Sequence, residues 1–192
     1  MATFSIIGTG NMGSAIGGLL AAGGASVQQI SHADLAQTTI EGDVVVLAVP
    51  FPAVANIVET VGAQLEGKTA VDITNPLNFE TFDSLVVPVG SSAAAEIQSL
   101  LPNSTVLKAF NTNFAATLAS KQLDGKTTTV LVAGDNADAK AALVAAVTAG
   151  GVVAIDAGAL SRAHELEAIG FLQLTLAVSE KISWTGGFNL SK

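Results

Sequence analysis

"FSIIGTGNMGSAIGGLL", residues 4–20, decides the fold. An apolar run ends at Ile7, glycines follow at Gly8, Gly10 and Gly13, and an apolar pattern of helical spacing runs through Met12, Ile16, Leu19 and Leu20. Flexible linkers are also glycine-rich, but they are polar and do not sit between two apolar segments. The glycines therefore mark a tight strand-to-helix turn that something approaches closely. Gly8-Thr9-Gly10-Asn11-Met12-Gly13 fits G-x-G-x-x-G in the context that the pattern needs. Gly8 permits the turn, Gly10 lets a pyrophosphate reach the backbone, and Gly13 lets helix and strand pack. Amide hydrogens at the helix N-terminus then face the phosphates without help from a basic side chain.

Outward from this segment, residues 26–30, 44–49, 69–73, 106–109, 129–133 and 152–156 read as strands. Residues 12–22, 53–64, 93–101, 137–149 and 162–182 read as helices. The repeated strand–helix order predicts an α/β fold, a doubly wound and mostly parallel sheet of the Rossmann type, closed by a long C-terminal helix. A composition 49% hydrophobic yet poor in aromatics suits a sheet covered on both faces by small-residue helices. At 192 residues the expectation is one domain, 1–192, with 161–192 as its helical C-terminal extension. Between Ile30 and Val44 only a turn or two of helix fits, so that crossover is abbreviated.

A net charge of −8, with no lysine or arginine before Lys68, argues against nucleic acid and anionic membrane as partners. The absence of cysteine removes disulfide and thiolate chemistry, and two histidines make a metal site a poor expectation. No apolar run approaches the roughly 20 residues of a membrane span, and no leader precedes the first strand, so the expected location is cytoplasmic.

The remaining candidates lie at strand ends, where open parallel sheets bind ligands. After the second strand, a nicotinamide adenine dinucleotide site usually places a carboxylate that accepts from the ribose 2′-OH. Here Ser31-His32-Ala33 occupies that place, and a carboxylate arrives only at Asp34. Ser31 and a protonated His32 can donate to a 2′-phosphate, which leans toward NADP; Asp34 reaching back to the ribose keeps NAD open. "AVPFPA", from Ala48 and Val49 through Pro50, offers a rigid wall for a ribose or adenine, or simply a helix start. Asn75, followed by Pro76, offers donor and acceptor to a carboxamide, or closes an Asn-Pro turn. Phe110, Asn111 and Asn113 suit a flat heteroaromatic ligand, or are a core phenylalanine with turn asparagines; strand alternation directs Lys108 elsewhere. No Ser–His–Asp set or paired carboxylates can be assembled. A redox enzyme needs neither, because hydride passes directly between two bound rings that the protein positions.

"IGTGNMG", "VVVLAVP", "DITNPL", "LKAFNT", "VLVAGD" and "DAGAL" follow one another in that order. In these segments the chain resembles the NADP-dependent deazaflavin reductases, a family that moves hydride between NADP and an 8-hydroxy-5-deazaflavin coenzyme. The resemblance implies that Thr9, Asn11 and Met12 contact the pyrophosphate, Ala48 to Pro50 the adjoining ribose, and Asn75 and Pro76 the nicotinamide side. It further implies a flat flavin-type or deazaflavin acceptor over Pro76, Phe110 and Asn111. Family members usually carry a basic residue after Ser31, where this chain has His32. Two other readings stand beside it: a pyrroline-carboxylate-reductase-like dehydrogenase, because "IGTGNMGSAI" is similar to that family's opening, and a non-catalytic NADP sensor. Phe171, Leu172, Leu174, Leu176 and Val178 make more than one apolar stripe on the last helix, which predicts a homodimer.

Overall fold

A computed structural model describes residues 2–190. Five strands run parallel: β1 (Thr3–Ile7), β2 (Ser26–Ile30), β3 (Val44–Leu47), β4 (Thr69–Asp72) and β5 (Thr105–Ala109). Helices α1 (Asn11–Ala22), α2 (Val54–Leu65) and α3 (Ala93–Leu100) serve as crossovers, and only a 3₁₀ turn at Leu35–Gln37 joins β2 to β3. Beyond β5 come α4 (Ala115–Ser120), a hairpin of β6 (Gln122–Leu123) and β7 (Lys126–Thr127), then β8 (Thr129–Gly134), α5 (Ala137–Ala149), β9 (Val153–Gly158) and α6 (Ala163–Val178).

The seven-stranded sheet has the order β2-β1-β3-β4-β5-β8-β9, with β8 antiparallel to β5. The winding reverses between β1 and β3, which opens the crevice that the sequence anticipates. Side chains alternate between two cores, one per face. Phe4, Ile6, Val46 and Val71 pack with Ile16 and Leu20 of α1 and Leu143 and Val147 of α5. Ile7, Val45, Leu47 and Ala70 pack with Ile57 and Val61 of α2 and Ile97 of α3. That period-two division is what a strand buried on both faces requires.

Two expectations are revised. The last helix ends at Val178 rather than near residue 182. The 110–128 segment, to which the sequence pattern assigns no strand or helix, contains α4 and the small hairpin; Asp124 and Gly125 at its turn have φ of 50° and 73°, the left-handed pair for which an Asp-Gly turn is suited.

Lys108 does leave the crevice, as alternation predicts, but it enters the deepest polar contact of the fold. Its fully buried Nζ donates to Asp72 Oδ2 at 2.7 Å and Thr74 O at 2.6 Å, and pairs with Glu167 Oε1 at 2.8 Å. Glu167, on α6, also accepts from the Ala93 and Ala94 N–H groups at the start of α3. Burial pushes the Glu167 carboxyl above the ordinary range, against the opposing pull of the Lys108 ammonium and the Ala93 N–H. Lys108→Met leaves two carboxylates buried without their cation and is expected to cost about 3–5 kcal/mol at neutral pH. Because the raised Glu167 takes up its proton first as pH falls, the loss should shrink in mild acid and grow in mild alkali. Denaturant unfolding at both pH values measures it; a loss independent of pH would contradict the assignment.

Candidate active site

The cradle is built by close approaches of backbone. A Cβ on Gly8, whose φ is +119°, would stand 2.2 Å from Ala48 O, and one on Gly13 would stand 2.2 Å from Gly8 O. These two glycines are explained by the protein itself, since they let the β1–α1 turn lie against the end of β3. Gly10 differs, because a Cβ there would meet nothing within 4 Å. It is the N-cap of α1, with no side-chain cap and no acidic residue in the first turn. The N–H groups of the first helical turn are left by geometry without intrahelical partners, next to a Gly10 with open space where a Cβ would stand. A pyrophosphate fits this cradle.

The recess in front of it measures about 490 Å³. Gly10, Asn11 and Met12 line it from the β1–α1 turn, Ala48, Val49 and Pro50 from the end of β3, and Thr74 and Asn75 from the end of β4. A second recess of about 260 Å³ shares Met12, Ile73, Asn75 and Leu174 with the first and continues to Phe110, Asn111 and Asn113. The two form one crevice across the ends of four strands.

Asn75 is held from three sides. Its Nδ2 donates to Asn111 O at 2.8 Å, and its Oδ1 accepts from Asn111 Nδ2 at 2.9 Å. Asn111 Nδ2 also donates to Leu166 O of α6 at 2.8 Å. Thr74, one residue earlier, has its N–H on Asp72 Oδ1 and its carbonyl on Lys108 Nζ. Helix α6 comes this close because residue 170 is glycine, where a Cβ would stand 2.2 Å from Asn75 Oδ1. Three buried oxygens at the crevice, Thr74 Oγ1, Asn111 Oδ1 and Asn113 Oδ1, have no hydrogen-bond partner among the described residues. Such atoms cost free energy unless a ligand or water donates to them.

Several expected roles change. Pro76 is buried and stands outside both recesses, because the turn that aims Asn75 at the crevice carries the next residue inward, where its carbonyl accepts from Val86 N. Phe110 is fully buried with φ of 64°, a left-handed conformation rare for an aromatic residue; it is a wall of the second recess rather than a platform. The exposed rings that line the two recesses are Phe79 and Trp184, each 53% exposed, and Trp184 packs on Phe114 with centroids 5.0 Å apart. Sequence reasoning missed both, and Leu174 with them. Ser31 is half-buried and His32 exposed at the end of β2, away from the shared wall. Arg162 pairs with Glu165, and His164 Nδ1 contacts Ser91 O, so neither joins the crevice.

This fold and cradle define the class, a Rossmann-type fold with a turn suited to a dinucleotide. The family described as NADP oxidoreductase, coenzyme F420-dependent, matches residues 20–76. The F420-dependent NADP reductase of Methanocaldococcus jannaschii is 33% identical over 151 residues, 76% of this chain and 67% of that protein. The metalloreductase STEAP3 of Rattus norvegicus is 38% identical over 106 residues, 55% of this chain but 20% of that protein. A candidate F420-dependent NADP reductase from Arthrobacter sp. FB24 superposes over the full length of both chains with a TM-score of 0.85 at 22% identity, a likeness of fold. The chain belongs to the F420-dependent NADP oxidoreductase family and is an NADP-dependent oxidoreductase. Membership decides between the two enzyme resemblances in favour of the deazaflavin reductases. No helix among the described residues is long and apolar enough to cross a membrane.

The glycines separate folding from binding. Gly10→Val should cost no more than about 1 kcal/mol, the effect of a poorer N-cap, while abolishing NADP binding. Gly8→Ala should cost roughly 2–3 kcal/mol, since strain and a backbone clash act together. Unfolding curves and calorimetric titration of both variants check this; a Gly10→Val protein that binds NADP normally would remove the cradle.

Proposed function

We propose that the chain transfers hydride directly between the nicotinamide of NADP(H), held in the first recess, and a flat deazaflavin or flavin-type acceptor in the second. The observation that supports this most is the continuity of the two recesses through Met12, Ile73, Asn75 and Leu174, which would bring two rings edge to edge. Bound NADPH would supply the hydride with its bonding pair and leave as NADP⁺, the reduced ring would take its one proton from water, and no nucleophile or acid–base dyad is required of the protein. Asn75 orients the carboxamide end, and Gly8, Thr9, Gly10, Asn11, Met12 and Gly13 hold the phosphates. Asn111 acts mainly by holding Asn75, and Asn113, tied by its Nδ2 to Thr129 O, lines the second recess. Trp184 and Phe114 roof that ring, and the apolar walls exclude water. Residues 1–192 work as one domain in this reading, with 161–192 as the extension that closes the crevice.

Steady-state reduction of an 8-hydroxy-5-deazaflavin by NADPH tests the reading. Trp184→Ala should raise the acceptor KM about tenfold, the loss of one ring stack, with NADPH affinity unchanged within about twofold. Absence of deazaflavin reduction by the wild-type protein would refute the reading.

We also propose a homodimer through α6. This helix turns Glu167, Gly170 and Gln173 inward, while Leu172 and Val178 are about half exposed and Phe171, Leu174 and Leu176 half-buried. Light scattering should show a dimer at micromolar concentration, and a monomer there would count against it.

A further inference from the structure

The adenosine end of the crevice carries a feature that NADP binding does not call for. Ser31, at the exit of β2, donates its hydroxyl proton to Asp34 Oδ2 at 2.6 Å, and its Oγ accepts from Asp34 N at 3.3 Å. A hydroxyl has one proton. Ser31 therefore cannot donate to a 2′-phosphate while this pair persists, and the group it is tied to is an exposed carboxylate. Asp34 Oδ1 accepts no hydrogen bond among the described residues, so the carboxylate keeps lone pairs for a further donor. Nothing nearby in sequence offsets the charge. No lysine or arginine precedes Lys68, whose Nζ is bound to Gly42 O beside the opposite ends of the strands. Among the side chains of residues 1–67, His32 alone can carry a positive charge.

A carboxylate at the second strand's exit treats the two cofactors oppositely. It accepts from the free 2′-OH of NAD and repels the 2′-phosphate of NADP. We infer that the Ser31–Asp34 pair makes this chain a dual-specificity enzyme that binds NAD within about tenfold of NADP, with Asp34 as the residue that sets the ratio. The phosphate gains little from this exit beyond His32, so NADP binding rests mainly on the pyrophosphate cradle, which the two cofactors share. The inference rests on dinucleotide binding at that cradle and not on the identity of the hydride acceptor.

Equilibrium titration with NADP⁺ and NAD⁺, without any acceptor, tests it. The wild-type dissociation constants should lie within about tenfold of each other. Asp34→Asn and Asp34→Ser should tighten NADP⁺ roughly five- to tenfold by removing a charge near the phosphate. The same variants should weaken NAD⁺ several-fold, because a charged acceptor is lost. Damage to the loop would weaken both cofactors together, so opposite movement of the two constants is the signature. A wild-type preference for NADP⁺ above about a hundredfold, or variants in which the two constants move in parallel or not at all, would overturn the inference.

Discussion

A single buried ammonium holds the crevice in shape. Lys108 Nζ takes three oxygens from three places, Asp72 on β4, the Thr74 carbonyl beyond it and Glu167 on α6, and through Glu167 it reaches the first turn of α3. Removing such charges from water costs several kcal/mol apiece, and the cost is recovered only when every member is bonded. Here each has partners, and the triad's surplus negative charge is met by N–H groups at the positive end of α3. The bonds converge on the segment that carries Asn75. With Thr74 fixed at both its N–H and its carbonyl, the direction of the next side chain is not free.

From that constraint the two recesses acquire their relation. Asn75 is common to both, locked to Asn111 by a reciprocal amide pair and pressed by a helix whose only compatible residue at 170 lacks a Cβ. In the proposed function the cofactor side needs little else, since backbone amides at a helix N-terminus can hold phosphate even in a chain of net charge −8. The second recess, proposed for the acceptor, is lined mainly by apolar side chains and an exposed indole. In the proposed function its part is to position rings rather than to supply nucleophiles.

Much of this was legible in the sequence, because it depends on neighbours along the chain. The β-branched runs, the glycine pattern after Ile7 and the short gap between Ile30 and Val44 gave the sheet, the cradle and the abbreviated crossover. What depends on contacts across the fold was not legible. Alternation could send Lys108 away from the crevice, but not toward a glutamate on the last helix. Pro76 and Phe110 stand beside asparagines that do face the crevice, yet local turn geometry buries both, and the exposed rings of the crevice come from Phe79 and from Trp184 in the tail. The Asp-Gly turn at 124–125 was a readable signal, set in a segment whose strands are two residues each.

The central claim is that two flat rings meet in this crevice and exchange hydride without passing it through the protein or solvent. NADPH carrying deuterium on the transferred side of C4, incubated with an 8-hydroxy-5-deazaflavin in ordinary water, measures this directly by mass spectrometry of the reduced product. The account predicts one deuterium bound to carbon in the product and a primary isotope effect on the transfer step in single turnover. A product without deuterium would contradict it, since the hydrogen would then have come from solvent.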